Sequence, residues 1–470
     1  MNFISVLSFV TLISSVLSYT SSAINDQIIN MPGLNYDLNF NQFSGYLQLK
    51  SNPSKNIHYW LVESENNPET APLVFWTNGG PGCSGLIGFM TEQGPFRPDE
   101  NGNIEPNKWA WNKNANMVFL EQPVGVGFSY SENSADYKID DEQASIDNLE
   151  TILSFLERFP EYAKVPLYLT SESYGGHYIP TWADKIVQYN KQNNNQINFR
   201  GFAVGNPYVD YYSGVGAQMQ TYWDHQLLPQ NSWSKYESAG CTDPIGFLNN
   251  SVCSTYSLDF MKKIGNLNPY ALDYPICTST QQIQMLNYMY SNNSSNDVIK
   301  LTNDMPYEPC EDAWSSNYLN NKDVKKAIHV KDIEWEECSR TTKYSLADKM
   351  KSTIHIYRKL IDDKEANLNI LIYSGDDDAV CGTKYTNQWV YGLGKSSPSG
   401  LQPSAGGYLV TSNWKVWSVN GQVAGYETQF KAPNNFRLAT VHGAGHEVPT
   451  YKPEQAYVLF ESFINNVSLN

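Results

Sequence analysis

The decapeptide LYLTSESYGG, residues 167–176, constrains the fold of this 470-residue chain more than any other stretch. Leu167, Tyr168, Leu169 and Thr170 make a short, nearly continuous apolar run, the pattern of a strand covered on both faces. Beyond Gly176 the period changes. Tyr178, Trp182 and Ile186 recur every four residues with Ile179, Ala183 and Val187 beside them, which marks one buried face of a helix. Between strand and helix lie Ser171, Ser173 and Gly175, small residues where the backbone has to reverse tightly. A buried strand feeding an amphipathic helix through a sharp turn is a unit of a parallel sheet with crossover helices, not of a helical bundle or an antiparallel sandwich.

The unit recurs. Strand-length apolar runs at residues 72–77, 117–122, 202–205, 369–374 and 438–441 are each closed by Gly, Pro, Asn or a small polar residue. Ile146, Leu149, Leu153 and Leu156 trace a further helix face. Residues 46–49 and 58–62 flank a turn with Asn52 and Pro53, a hairpin that opens the sheet, and Asn420-Gly421 signals a second hairpin between Trp417 and Tyr426. These signs predict an α/β class with a mixed, mostly parallel central sheet and helices on both faces. Residues 211–335 break the rhythm, with four of the seven cysteines and several Asn/Ser patches but no clear strand followed by a helix. They read as a cap insertion that splits the core into residues 24–210 and 336–470.

Composition narrows the class. With 48 Asp and Glu against 32 Lys and Arg the chain carries a net charge of -16 and has no basic cluster, which excludes nucleic acid as a partner. Hydrophobic residues at 41% and aromatics at 13% exclude a disordered chain. Residues 1–23 run from Phe3, Ile4, Val6 and Leu7 to a small-residue tail ending at Ala23, the pattern of a secretory signal peptide. No other segment is apolar and long enough to span a membrane. Cys83, Cys241, Cys253, Cys277, Cys310, Cys338 and Cys381 form no zinc pattern, and in an oxidising compartment they imply three disulfides and one thiol. Sequons at Asn249, Asn292, Asn293 and Asn466 fit the same secretory route.

Ser173 occupies the turn of the opening motif, where a nucleophile elbow would place it; Ser171 stands where G-x-S-x-G has its first Gly. A serine needs a base to take its proton and a carboxylate to orient that base. His446 follows the run at 438–441 within His442-Gly443-Ala444-Gly445-His446. A metal pair of His442 and His446 would need a helix that the two glycines oppose. Asp376, Asp377 and Asp378 end the run at 369–374, and spacing leaves the three tied; they lack the D-x-D-x-D-G pattern of a calcium loop. The order Ser, Asp, His is that of the α/β-hydrolases. A glycine-rich loop, Asn78-Gly79-Gly80-Pro81-Gly82-Cys83, follows another strand. Its amides, with that of Tyr174, are placed to bind an oxyanion, and it lacks the Lys-Ser/Thr of a phosphate loop.

The runs from Asn78 to Ser84, Glu92 to Phe96, Leu120 to Tyr130 (LEQPVGVGFSY), Glu172 to Pro180 (ESYGGHYIP), Gly205-Asn206, Gly375 to Asp378 and Gly443 to Pro449 (GAGHEVP) resemble the serine carboxypeptidases of the carboxypeptidase Y, plant and lysosomal protective protein type. The resemblance spans nearly the whole chain after residue 23 and implies an α/β-hydrolase fold with a large cap. It implies Ser173 as nucleophile, His446 as base, Asp378 as orienting acid, and Gly80 and Tyr174 as oxyanion-hole donors. Asn78, Gly79, Glu92 and Glu172 would hold the terminal carboxylate of a peptide. Two glutamates facing that carboxylate must share protons, so the activity should favour acidic pH. The resemblance further implies disulfides Cys83–Cys338, Cys241–Cys253 and Cys277–Cys310, with Cys381 a free thiol lining the site, open to a mercurial. The expected protein acts on peptide or protein C-termini, uses no metal and no cofactor, and is secreted or lysosomal/vacuolar; monomer and homodimer are both compatible with it. An acyltransferase of the same family, or a non-catalytic protein that protects partner enzymes, are the rival readings.

Overall fold

In a computed structural model, which describes residues 19–194, 196–242, 247, 250–277, 308–392 and 408–469, the core is one sheet. Its main strands are β1 (Gln42–Gln48), β2 (Lys55–Val62), β3 (Leu73–Thr77), β4 (Asn116–Glu121), β5 (Leu167–Glu172), β6 (Phe199–Gly205), β7 (Asn369–Gly375), β8 (Leu409–Val419), β9 (Gln422–Lys431) and β10 (Asn435–Val441). They lie in the order β1-β2-β4-β3-β5-β6-β7-β10-β9-β8, and Tyr130–Ser131 adds a short strand beside β2. The centre from β4 to β10 is parallel. Both ends are antiparallel hairpins, β1 with β2 and β8 with β9. This is the α/β-hydrolase fold.

The apolar runs are nearly continuous because each strand serves two cores, alternate residues facing opposite sides. On β3, Leu73 and Phe75 pack on one face with Ile152 and Phe155 of helix α1 (Asp141–Arg158) and with Ile179, Trp182 and Ile186 of α2 (Gly175–Gln192). Val74 and Trp76 pack on the other face with Leu86, Phe89 and the C-terminal residues Leu459, Phe460 and Phe463. Burial of each such side chain contributes about 1.5–3 kcal/mol, so both helical layers are needed to hold the sheet. At the Asn420-Gly421 turn φ is +53° and +74°, the left-handed pair that a two-residue hairpin demands.

Residues 19–23 are fastened to the core: Tyr19 donates to Glu63 at 2.6 Å, Thr20 caps the short helix Ser21–Asn25, and Ala23 is fully buried. Tyr318, Leu319, Val324, Ile328 and Trp335, at the end of the insertion, pack with Val74 and Trp76 on the second face of the sheet. They carry no strand or helix period long enough to announce it. The described remainder of the insertion is largely helical, with a cluster of its own around Tyr222, Trp233, Tyr236 and Phe260.

Candidate functional site

Ser173, Asp378, His446 and the loop from Asn78 emerge at the C-terminal ends of the parallel strands, where the sheet leaves a crevice, and Glu92 reaches it from the short helix Gly88–Glu92. Ser173 sits between β5 and α2 with φ +58°, a left-handed conformation strained for a residue with a Cβ. Three backbone bonds hold it: its amide donates to Gly205 O at 3.1 Å, and its carbonyl accepts from Gly176 and Tyr208 at 2.8 Å each. The Ser171 hydroxyl donates to Thr77 O at 2.6 Å and lies 2.1 Å from where a Cβ on Gly175 would be. It thus fills the space beside the turn and ties β5 to β3, which is how this chain accommodates a serine in place of the leading glycine.

The three tied aspartates part company. Asp376 accepts from the Gly443 amide and the exposed His442, and Asp377 accepts from the Asp273 amide. Asp378 alone reaches His446, with Oδ2 2.7 Å from Nδ1. It is fully buried and also accepts from Asn206 Nδ2 at 2.8 Å and from the amides of Val380 and Cys381. Facing a carboxylate so supplied with donors, Nδ1 carries its proton. Burial works against a charged imidazole, but the Asp378 carboxylate outweighs it and pushes His446 up to about 9. His446 Nε2 is buried without a hydrogen-bond partner, in the same pocket of about 590 Å³ that Ser173 lines. Catalytic bonds of this type often close only around a substrate.

Over this pocket runs the glycine-rich loop. A Cβ on Gly79 would lie 2.5 Å from Tyr174 N and 2.7 Å from Ser173 Cβ, so only glycine lets the loop pass so close to Ser173. Gly80 has φ +108°. Tyr174 precedes the first turn of α2, where amides lack intrahelical acceptors. The loop is anchored by Gly82 N donating to Tyr178 Oη at 3.0 Å and by the Cys83–Cys338 disulfide.

Beside the loop, Asn78 Nδ2 donates to Glu92 Oε1 and to Glu172 Oε1 at 2.9 Å each, while its Oδ1 accepts from Trp76 Nε1 and Gly88 N. Glu92 Oε2 and Glu172 Oε2 are buried, and the two carboxyls lie within hydrogen-bonding reach of each other. Burial pushes Glu92 up to about 8; burial and then the charge of Glu92 raise Glu172 well above the carboxylate range. Three participants were not legible as such beforehand: Asn206, which binds Asp378; Glu447, pushed up to about 7 by burial; and Tyr270, whose ring lies edge-on to His446 with centroids 5.2 Å apart. Asn206 and Glu447 stood within matching runs, but only the meeting of separate loops reveals what they touch.

The remaining cysteines are joined as Cys241–Cys253 and Cys277–Cys310, and Cys381 is free and buried at the pocket wall. Burial, then the charge of Asp378, push its thiol up, so it is no ready thiolate. Among the described residues one group of metal-ligating atoms comes within mutual reach, Asp378, Cys381 and His446, and two of these are committed to each other. Of the sequons, Asn466 is exposed; Asn249, Asn292 and Asn293 lie outside the described residues. No described helix is long and apolar enough to cross a membrane.

Residues 32–466 match the family model described as serine carboxypeptidase. "Serine carboxypeptidase-like 26" of Arabidopsis thaliana is 35% identical over 458 residues, covering 94% of each chain. "Serine carboxypeptidase 24" of the same plant is 33% identical, covering 97% of this chain and 96% of its own. Among solved structures, Kex1Δp, a prohormone-processing carboxypeptidase from Saccharomyces cerevisiae, superposes with a TM-score of 0.75 at 19% identity, covering 96% of this chain and 97% of its own. With its fold, its strand-end crevice and this match over nearly its whole length, the chain belongs to the serine carboxypeptidase family.

Proposed function

We propose that the protein is a serine carboxypeptidase that removes C-terminal residues from peptides through an acyl-enzyme, at acidic pH, and that it works in the secretory route, secreted or lysosomal/vacuolar. The observation that carries this reading is the pair Glu92 and Glu172, bridged by Asn78 and buried beside Ser173. Protonated, the two glutamates donate to a terminal carboxylate; ionised, they repel it. The last peptide bond then lies over Ser173.

In the fraction of molecules whose imidazole is neutral, His446 Nε2 takes the Ser173 proton as Oγ attacks the carbonyl, and the Gly80 and Tyr174 amides receive the oxyanion. Collapse of the tetrahedral intermediate breaks the C–N bond, and His446 gives the proton to the leaving amine. Water, deprotonated by the same imidazole, attacks the ester, and Ser173 recovers its proton as the shortened peptide leaves. Asp378 holds the imidazole through Nδ1 and steadies the imidazolium.

Peptide hydrolysis should fall as the Glu92–Glu172 pair ionises, whereas an ester without a free carboxylate should be cleaved to higher pH. In Glu92→Gln the peptide profile should approach the ester profile. Superimposable peptide and ester profiles in both wild type and Glu92→Gln would sink the assignment. An organophosphonate that fails to label Ser173 would favour a non-catalytic binding protein; labelling without hydrolysis of a blocked dipeptide would favour an acyltransferase.

A further inference from the structure

Asp378 and His446 stand on separate loops, after β7 and β10, and a misplacement of about 1 Å between reacting groups costs on the order of a hundredfold in rate. The sheet fixes where these loops begin. What fixes the remainder is a short stretch of the insertion, residues 268–274. It bonds to the acid loop on both sides of Asp378: Leu272 N donates to Asp377 O at 3.1 Å, Asp273 N to Asp377 Oδ2 at 3.0 Å, and Ala379 N to Pro269 O at 3.0 Å. It bonds equally to the base loop. His446 N donates to Tyr270 O at 2.7 Å, and Tyr274 Oη donates to Gly443 O at 3.0 Å. A Cβ on Gly445 would stand 2.4 Å from Tyr270 O and 2.5 Å from Ala271 Cβ, so the contact is close along its length.

The stretch is itself held at both ends. The buried Asn268 donates through Nδ2 to Tyr451 Oη at 3.5 Å, and Cys277, just downstream, is bonded to Cys310, which leads into the helix Glu311–Leu319 against the core. The two loops also touch directly, through Asp377 N to Ala444 O at 2.9 Å. Asp377 is therefore the point where the acid loop, the base loop and the insertion meet, and its buried carboxylate is spent on the insertion's backbone.

We propose that residues 268–274 are the frame that assembles the acid–base pair, with Asp377 and Tyr274 as positioning residues, so that the cap governs chemistry as well as access. This rests on the reading of Asp378 and His446 as acid and base. The test compares the rate of Ser173 phosphonylation, and kcat and KM on a blocked dipeptide, for wild type, Asp377→Ala, Asp377→Asn and Tyr274→Phe. Asp377→Ala should lose about tenfold to a hundredfold in phosphonylation rate and kcat, with KM within about twofold of wild type. Asp377→Asn keeps an acceptor for the Asp273 amide and should recover most of the loss. A folded Asp377→Ala protein phosphonylated as fast as wild type overturns the proposal, and so does a loss confined to KM. Should Asp377→Ala not fold, Tyr274→Phe keeps the ring and removes only the hydroxyl, and an unchanged rate there overturns the proposal too. A wild-type protein inert to the phosphonate would overturn the hydrolase reading itself.

Discussion

Glu447, directly after His446, sits where every charge in the site can feel it. It helps to raise Glu92, Glu172 and His446. The direction of its effect on the base follows: a negative neighbour favours imidazolium, so Glu447→Gln should lower the pKa of His446 and let the neutral base persist into more acidic solution. The acid limb of the ester kcat/KM profile should then move down by about one pH unit. A limb that stays in place removes Glu447 from the electrostatics of the base. At this scale the sequence was legible where geometry is local. Ser173 stands on a turn that needs small neighbours, and His446 follows a strand amid glycines. Asp378 was singled out only by the resemblance and not by spacing, because three adjacent aspartates are alike until each meets its own partner. Asp376 goes to His442, Asp377 to the Asp273 amide and Asp378 to His446.

Among the elements, the glycine-rich loop depends on the side chain that Gly79 lacks. In Gly79→Ala the new methyl would meet Tyr174 N and Ser173 Cβ within 2.7 Å, and neither is the yielding end of a flexible side chain. The loop must lift, and the Gly80 amide with it. Loss of one oxyanion donor typically costs about 3 kcal/mol, so kcat should fall a hundredfold or more. The thermal midpoint should change little, since the far end of the loop stays fastened through Gly82, Tyr178 and the Cys83–Cys338 bond. A near-normal kcat would show that the loop relaxes without moving the donor. The strands and both hairpins were readable because short continuous apolar runs and turn residues are local signals. The segment around Trp335 was not: its anchors are single contacts, Trp335 Nε1 donating to Glu121 Oε1 at 2.8 Å and Cys338 bonded to Cys83, with no period to see.

Across the whole molecule the buried acids make stability depend on pH in one direction. Burial holds Glu92 at about 8, Glu311 and Glu447 at about 7, and Asp377 at about 6. Each binds a proton in the native state that the unfolded chain has already released. Their contribution is complete below the ordinary carboxylate pKa and is lost as pH rises through these folded values. His446, raised to about 9, adds to the same trend, because its stabilising proton is lost only as pH climbs through that value. The carboxylates with lowered values, Asp99, Asp348 and Asp363, titrate below their ordinary range and do not oppose the trend in this window. The net charge of -16 points the same way, since protonation relieves self-repulsion. The urea midpoint should therefore be higher at about pH 5 than at about pH 8. Glu92→Gln together with Glu447→Gln should flatten the slope by removing two of the groups that create it. A midpoint that rises between those two pH values would mean that the buried acids are paired or hydrated in solution, and would undo the argument for a protein built to work in acid.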